Sequence, residues 1–355
     1  MIKIITLIST FLVFAFGSAY ADPKKVGFIY IGPPGDHGWT YMHDVGRKYM
    51  ESQLGDSVTS TYIENVPENA DAVRAIRKLA DSGHDLIFTT SFNYMDQTHE
   101  VAKDFPNIKF EHATGYMQAD NVATYSARFY EGRMIEGHIA GHMSKTGTIG
   151  YIASFPIPEV VRGINAFYLA AAKINPDIKM KIIWVFTWYD PGKEADAANT
   201  LINQGADIIV QHTDTYAPCQ AAQKAGVYAF GQASNQEEFC PDAHLTSIED
   251  IWGPYYAARA KAVVDGTWAS GDTWDGMDKG MVVMSPYNTK LMPASLIQEA
   301  VNMEVGIKDG TLHPFTGPIY NQAGELVVPE GEVAPDGMLL GMNFYVQGID
   351  GEVPQ

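Results

Sequence analysis

The sequence predicts an α/β fold of two doubly wound lobes, each built on a mainly parallel sheet. Three observations lead there. Short apolar runs alternate with longer stretches whose apolar residues recur at helical spacing. The alternation runs once through the first third of the chain and again through the middle. Gly and Pro punctuate the units, and no low-complexity linker separates them. Parallel strands require covering crossovers and burial on both faces, which such repetition provides.

The first segment reads as an export signal. Lys3 supplies a positive start, Ile4 to Phe16 is nearly all apolar, and Ala19-Tyr20-Ala21 gives the small-x-small pattern before a cleavage point. A mature chain is expected to begin at Asp22, in the periplasm, with residues 1–21 removed. No cysteine sits at that point to carry a lipid. No later run reaches the ~18 apolar residues of a membrane helix, so stable membrane insertion is not expected.

Within the first repeat, Val26–Ile31 is a short apolar strand and Gly38–Leu54 has helical spacing. Thr59–Ile63 is extended. Asn69 caps a helix that puts Val73, Ile76 and Ala80 on one face and Arg74, Arg77 and Lys78 outside. Gly83 stops it. Leu86–Phe88 reads as a buried strand, Asp96–Lys103 as a helix ended by Pro106, and Ile108–Glu111 as the next strand.

The second repeat follows. Thr148–Ile152 is a strand, Glu159–Ile174 a helix closed by Pro176, and Lys181–Phe186 a strand. Pro191 fits the first turn of a helix that Gly205 ends. Ile208–Val210, Ala217–Ala225 and Val227–Phe230 repeat the unit. Beyond Leu245 the pattern becomes less regular: a helix over Trp252–Asp265, a loop-like stretch Gly266–Gly280, a strand Met281–Met284, a helix from about Leu291 to Ile307, and a tail rich in Gly and Pro. The expected division is 22–127 with about 255–325 as the N-terminal lobe, 128–254 as the C-terminal lobe, and 326–355 as a tail packed on them.

Composition narrows the function. Apolar residues make up 46% of the chain, which argues against disorder. The formal net charge of -18 repels nucleic acid and anionic lipid, so neither is an expected partner. The two cysteines, Cys219 and Cys240, lack C-x-x-C spacing. In an oxidising compartment a bridge between them would close a loop of about 20 residues; the alternative is two separate or buried thiols.

Ligands of open parallel sheets sit beyond the carboxyl ends of the strands, so the loops there hold the candidates. Gly32–Thr40 follows the first strand. It lacks the spacing of a dinucleotide or phosphate loop, and offers Asp36, His37 and Trp39 instead. A carboxylate accepts N–H groups from a planar heterocycle, and an indole stacks on its face. Thr90–Asp96 adds Phe92 as an aromatic wall, Asn93 as a reader of ring N and N–H groups, and Asp96 as a binding or helix-stabilising acid. Trp188 is a second wall, with Asp190 as a helix cap. Asp214 is an acceptor or a cap, and Gln232 and Asn235 are neutral polar groups at the same edge.

Chemistry has less support. There is no H-E-x-x-H motif and no Gly-x-Ser-x-Gly elbow, so no catalytic residue is nominated. His138 and His142 stand at i,i+4 with Glu136 nearby, a metal-like spacing, but the Gly and Ala around them favour helix packing. Neither metal nor cofactor is expected.

These loops and their spacing resemble the basic-membrane-protein family, the purine- and nucleoside-capturing receptors of bacterial ABC importers. The resemblance covers essentially the whole mature chain. It is most specific over Val26–Thr40, Ile87–Asp96, Asn121–Gly150 with Glu131, Gly132 and Ala140, Pro158–Asn175, Gly205–Ile209 and Ala225–Gly231. It implies the type I periplasmic binding protein fold, with multiple crossovers between lobes, a ligand closed between them, an inner-membrane ABC permease as partner, and no catalysis. By position, Asp36 matches the first-loop acid, Trp39 a nearby binding position, and Phe92, Asp96 and Trp188 the base-recognition region.

Departures from the family pattern sharpen the ligand. Nucleoside receptors carry acids after the Gly231 strand, one of which holds ribose hydroxyls; this chain has Ala233 and Asn235 there. A later lysine associated with ribose is replaced around Ile248-Glu249. Missing acceptors leave ribose hydroxyls poorly satisfied, so a free purine nucleobase is expected, adenine first. The alternatives are a nucleoside or another planar heterocycle bound for transport or sensing, and, further off, an enzyme acting on purine nucleosides.

Overall fold

The computed structural model describes residues 22–35 and 37–355. The expected export signal and Asp36 lie outside the described residues.

Local sequence sets most of the elements. The chain runs β1 (Lys24–Ile29), α1 (Trp39–Leu54), β2 (Val58–Ile63), α2 (Ala70–Asp81), β3 (Leu86–Thr89), α3 (Met95–Asp104), β4 (Lys109–Ala113) and β5 (Val122–Ala127). After a first crossover come α4 (Tyr130–Met143), β6 (Thr148–Ala153), α5 (Pro158–Ile174), β7 (Lys179–Trp184), α6 (Pro191–Asn203), β8 (Ile208–His212), α7 (Ala217–Ala225), β9 (Tyr228–Gly231) and β10 (His244–Asp250). Two caps are those the sequence predicts: Asn69 accepts from the Asp71 amide, and Asp190 accepts from the Lys193 amide ahead of Pro191. Gly205, at a φ of 98°, follows the end of α6, and Gly226 ends α7 at a φ of 72°.

The remaining chain divides between the lobes. It continues as α8 (Gly253–Val264), β11 (Asp272–Asp275), β12 (Val282–Met284), α9 (Ala294–Lys308), β13 (Ile319–Tyr320), β14 (Leu326–Val328) and α10 (Asp336–Leu340). The first sheet has the order β11-β5-β4-β3-β1-β2 and is parallel throughout. The second has the order β12-β10-β9-β8-β6-β7, parallel except for the β10–β12 pair. The chain passes between sheets three times, after β5, β10 and β11.

Two expectations need correcting. Gly266–Gly280 is not all loop, because Asp272–Asp275 forms an edge strand on β5. Its four residues are too few and too polar to show a strand period; pairing with β5 makes the strand. The return to the first sheet is also shorter than residues 255–325. Only α8 and β11 return, since β12 pairs with β10 and α9 packs on α4.

Packing fixes both halves. Phe28 stacks on Phe88 with ring centroids 4.8 Å apart, and Tyr256 of α8 closes over both. Between α4 and α5 the backbones nearly touch: a Cβ on Gly137 would lie 2.1 Å from the Phe167 carbonyl oxygen. The tail is tied to α5 and to the first crossover. Arg128 holds Asp336 with both ends of its guanidinium at 2.9 and 2.7 Å, and Asn165 donates to the Phe344 carbonyl at 2.8 Å.

Cys219 and Cys240 form a disulfide, with Cα atoms 5.9 Å apart, joining α7 to the segment before β10. Cys219→Ser with Cys240→Ser should lower unfolding free energy by about 3 kcal/mol, the loop-closure value for a ring of this size. Urea titration of the two proteins measures it.

Candidate functional site

The carboxyl ends of the two sheets face each other, and the loops between strand and helix enclose a cavity of about 20 Å³. Ile31, Trp39, Ser91, Phe92 and Thr114 line it from the first sheet, and Glu159, Trp188, His212, Asp214 and Gln232 from the second. That is room for about one water molecule, so a larger solute enters only as the lobes part.

The aromatic walls are fixed by their own contacts. Trp39 opens α1, and its indole N–H donates to the Thr90 carbonyl at 2.7 Å, locking the β1 loop to the β3 loop. Its ring meets His43 and Trp252 edge-on, at 4.5 and 5.5 Å. Phe92 stands in the turn after β3. Trp188, between β7 and α6, leans on Phe155 at 5.1 Å, and its carbonyl accepts from the Asp214 amide at 2.9 Å. The Trp188 indole N–H is buried and has no hydrogen-bond partner among the described residues.

A buried guanidinium organises the polar wall. Arg133 of α4 is fully enclosed. It donates to Glu136 at 2.7 Å, to the Gln211 carbonyl at 2.6 Å, and to the Gln232 side-chain oxygen. That last bond consumes the Gln232 acceptor, so its amide N–H groups remain to face a solute. His212 Nε2 lies 3.3 Å from Glu159 Oε1. Burial lowers the His212 pKa, with Glu159 opposing, so the imidazole is neutral at neutral pH. The lining thus carries two carboxylic residues and a neutral histidine, with neither lysine nor arginine among the described residues that form it. Such a wall accepts N–H donors and rejects anionic solutes.

Backbone geometry is unusual along this edge. All five non-glycine residues of positive φ, among those described, lie in loops following strands at the carboxyl ends: His37, Asn65, Thr114, Phe186 and Ala233. Left-handed backbone at non-glycine residues costs free energy and collects at functional edges.

The loops also meet each other. A Cβ on Gly38 would lie 2.0 Å from the Asp214 carbonyl oxygen. Ser234 donates to the His37 carbonyl, and the His37 ring meets Phe239 edge-on at 4.7 Å. The cleft is therefore in a closed arrangement.

Of the sequence-predicted site residues, Trp39, Phe92, Trp188, Asp214 and Gln232 share this cavity. Asn93, Asp96 and Asn235 do not. Asn93 is exposed, and its amide donates to Glu68 at 3.0 Å. Asp96 is exposed in the first turn of α3, one step beyond the loop. Asn235 faces solvent and accepts from the Glu237 amide. Position in the right loop is not enough; the next residues of each turn point outward. Sequence reasoning missed Glu159 and His212 as cavity-lining groups. Glu159 follows β6 as the other candidates follow their strands, so the same rule applied to that loop would have found it. His212 stood beside Asp214 in the chosen segment.

Residues 23–311 match the family described as ABC transporter substrate-binding protein, PnrA-like (Bmp). The chain belongs to this family. It is therefore a non-enzymatic substrate-binding protein of an ABC transporter, a class that binds small molecules and works with a membrane permease. A purine-binding protein of Brucella abortus is 57% identical over 340 residues, covering 96% of this chain and 97% of its own. A Haloferax volcanii protein, provisionally named an ABC transporter glucose-binding protein, is 34% identical over 95% of this chain and 83% of its own. Among solved structures, a solute-binding protein of an ABC transporter system from Aeropyrum pernix superposes with a TM-score of 0.71 at 20% identity, over 82% of this chain and 93% of that one. Its low identity speaks to fold alone, and the fold is that of type I periplasmic binding proteins. No helix among the described residues is long and apolar enough to cross a membrane.

Gly38→Ala should prevent full closure, because its Cβ meets backbone rather than a movable side chain. Its backbone, at φ -135° and ψ -129°, lies outside the ordinary β and helical regions, so alanine also strains this turn. We expect ligand affinity to fall at least about tenfold, roughly 1.4 kcal/mol, with a smaller loss of ligand-free thermal stability. Calorimetric titration and differential scanning measure the two quantities.

Proposed function

We propose that this protein captures a purine nucleobase, adenine first, in the periplasm and delivers it to an inner-membrane ABC permease. The observation that carries the reading is the cavity lining. Trp39 and Phe92 from one lobe and Trp188 from the other meet around a small space whose acidic groups, among the described residues, are Glu159 and Asp214. Flat apolar faces suit a planar ring, and carboxylates suit its N–H groups. Gln232 adds amide donors for ring nitrogens, and the buried Trp188 N–H adds one more.

Two further considerations support a free base. The positions where the family resemblance implies ribose-holding groups do not line the cavity: Asn235 caps its own turn, and Glu249 accepts from Ser285 at 2.5 Å. A nucleotide is disfavoured by the absence of a cationic residue among the lining groups. The name of the Brucella abortus relative agrees with the purine class.

Binding in this reading is reversible and needs no covalent step. Closure joins the walls, desolvates the ring and brings the acceptors to it; opening releases it intact. The closed face assembled by the His37, Gly38 and Ser234 contacts gives a permease a surface that the open protein lacks.

The test is a thermal-shift and calorimetric comparison on protein unfolded and refolded to remove carried-over solute. Adenine, guanine, hypoxanthine, adenosine and glucose are the probes. Adenine should raise the melting temperature most. A larger response to adenosine would restore the nucleoside reading, and a response to glucose alone would remove purines from consideration. Trp39→Ala should weaken the preferred base by roughly 1–4 kcal/mol if its ring is a true anchor; unchanged affinity would exclude the stacking role.

A further inference from the structure

We infer that His138, His142 and Glu299 form a zinc-class metal site on the second lobe, clipping α9 to α4. The two histidines lie one turn apart on α4, with ring centroids 4.9 Å apart. Opposite them on α9 stands Glu299. One of its carboxylate oxygens, Oε2, is 3.0 Å from His138 Nε2 and 3.7 Å from His142 Nε2. One ligand atom from each of the three residues lies within 4.8 Å of the other two.

Those separations suit a specific ion. Zinc binds imidazole nitrogen and carboxylate oxygen at about 2.0–2.1 Å in tetrahedral geometry, which places neighbouring donors about 3.3 Å apart. The two Glu299–histidine spacings bracket that value, and the histidine nitrogens lie within 4.8 Å of each other, so side-chain rotation closes the set. Two imidazoles and one carboxylate form a borderline donor set that favours zinc over magnesium, which prefers oxygen ligands and its own water. Water would complete the fourth position, because His142 and Glu299 are 40% and 50% exposed.

The histidines are free to do this because packing uses a different face of the helix. Gly137 and Gly141 press against the Phe167 and Ala171 carbonyls of α5, which accounts for the small residues around the pair. Glu136, the acid nearest in sequence, is not a ligand; it is buried and bound by Arg133. The third ligand comes from α9, more than 150 residues later. The site is separate from the binding cavity, since none of its residues lines that space. Its expected consequence is mechanical: α9 follows the third crossover, and a metal would fix it to the helix that follows the first.

The test uses the mature chain, stripped with a chelator and titrated with zinc chloride, with magnesium chloride as control. We expect one zinc per protein, a rise of several degrees in melting temperature, and, with cobalt(II), the visible absorption of a tetrahedral site. His138→Ala with His142→Ala should abolish all three, and Glu299→Gln should weaken zinc at least tenfold. His142→Ala alone, at the more exposed histidine, guards against a folding defect. Adenine affinity serves as a check on integrity and should be unchanged in every variant. Absence of zinc binding, an equal response to magnesium, or an undiminished zinc response in the double histidine variant would overturn the site and leave only His–Glu pairing.

Discussion

Arg133 is a cation with no access to water, and the second lobe is arranged around satisfying it. Moving a charge into a protein interior carries a penalty of several kcal/mol unless nearby groups replace its hydration. Here Glu136, the Gln211 carbonyl and the Gln232 side chain serve its two terminal nitrogens, Nε has no partner among the described residues, and the Tyr151 ring lies 5.5 Å from the guanidinium. These partners belong to α4, β8, the loop after β9, and β6. One side chain therefore registers the first crossover helix against three strand ends. Gln232 reaches the cavity with its oxygen already occupied, so its hydrogen-bonding sense is decided before any solute arrives. Burial pushes the Glu136 carboxyl upward, and the Arg133 guanidinium beside it pulls the other way.

The first lobe solves a different problem. Its site groups are aromatic and must be held without blocking the cleft. Trp39 is fixed through its N–H to Thr90 and through edge contacts with His43 and Trp252, leaving ring surface for a ligand. The same network runs through Tyr256 to Phe28 and Phe88, so the wall is continuous with the core of the sheet. A site built on packed residues loses little conformational entropy on binding. Three crossovers join the lobes, which meet where glycine at position 38 lets two backbones approach.

A receptor that must release its cargo needs recognition without excessive grip. The lining meets that need through a few directed polar groups between apolar faces. Burial lowers the His212 pKa, and the polar groups of the lining are oriented by their own partners, so recognition rests on directed hydrogen bonds. Enzymes in comparable clefts place a nucleophile or an acid–base pair across the reacting bond. This lining instead joins rings, amides and carboxyls suited to holding a molecule intact.

Much of the architecture was legible in the residues. Apolar runs, Asn69, Asp190, Pro191 and Gly205 determine strands and helices locally, because caps and turns depend on neighbours in sequence. The rule that ligands gather after strands led to Trp39, Phe92, Trp188, Asp214 and Gln232. It failed for Asn93, Asp96 and Asn235, because a loop's location says nothing about which side of a tight turn faces the cleft. It also said nothing of Glu159, paired with His212 across the α5 and β8 loops, or of Glu299 beside His138. Pairing made β11 a strand and assigned β12 to the second sheet, although neither segment carries a strong period. Local sequence thus determined the elements and the class of solute-facing chemistry. Only the tertiary structure decided the members of the site, because contacts between residues far apart in the chain depend on the packing of whole helices and sheets.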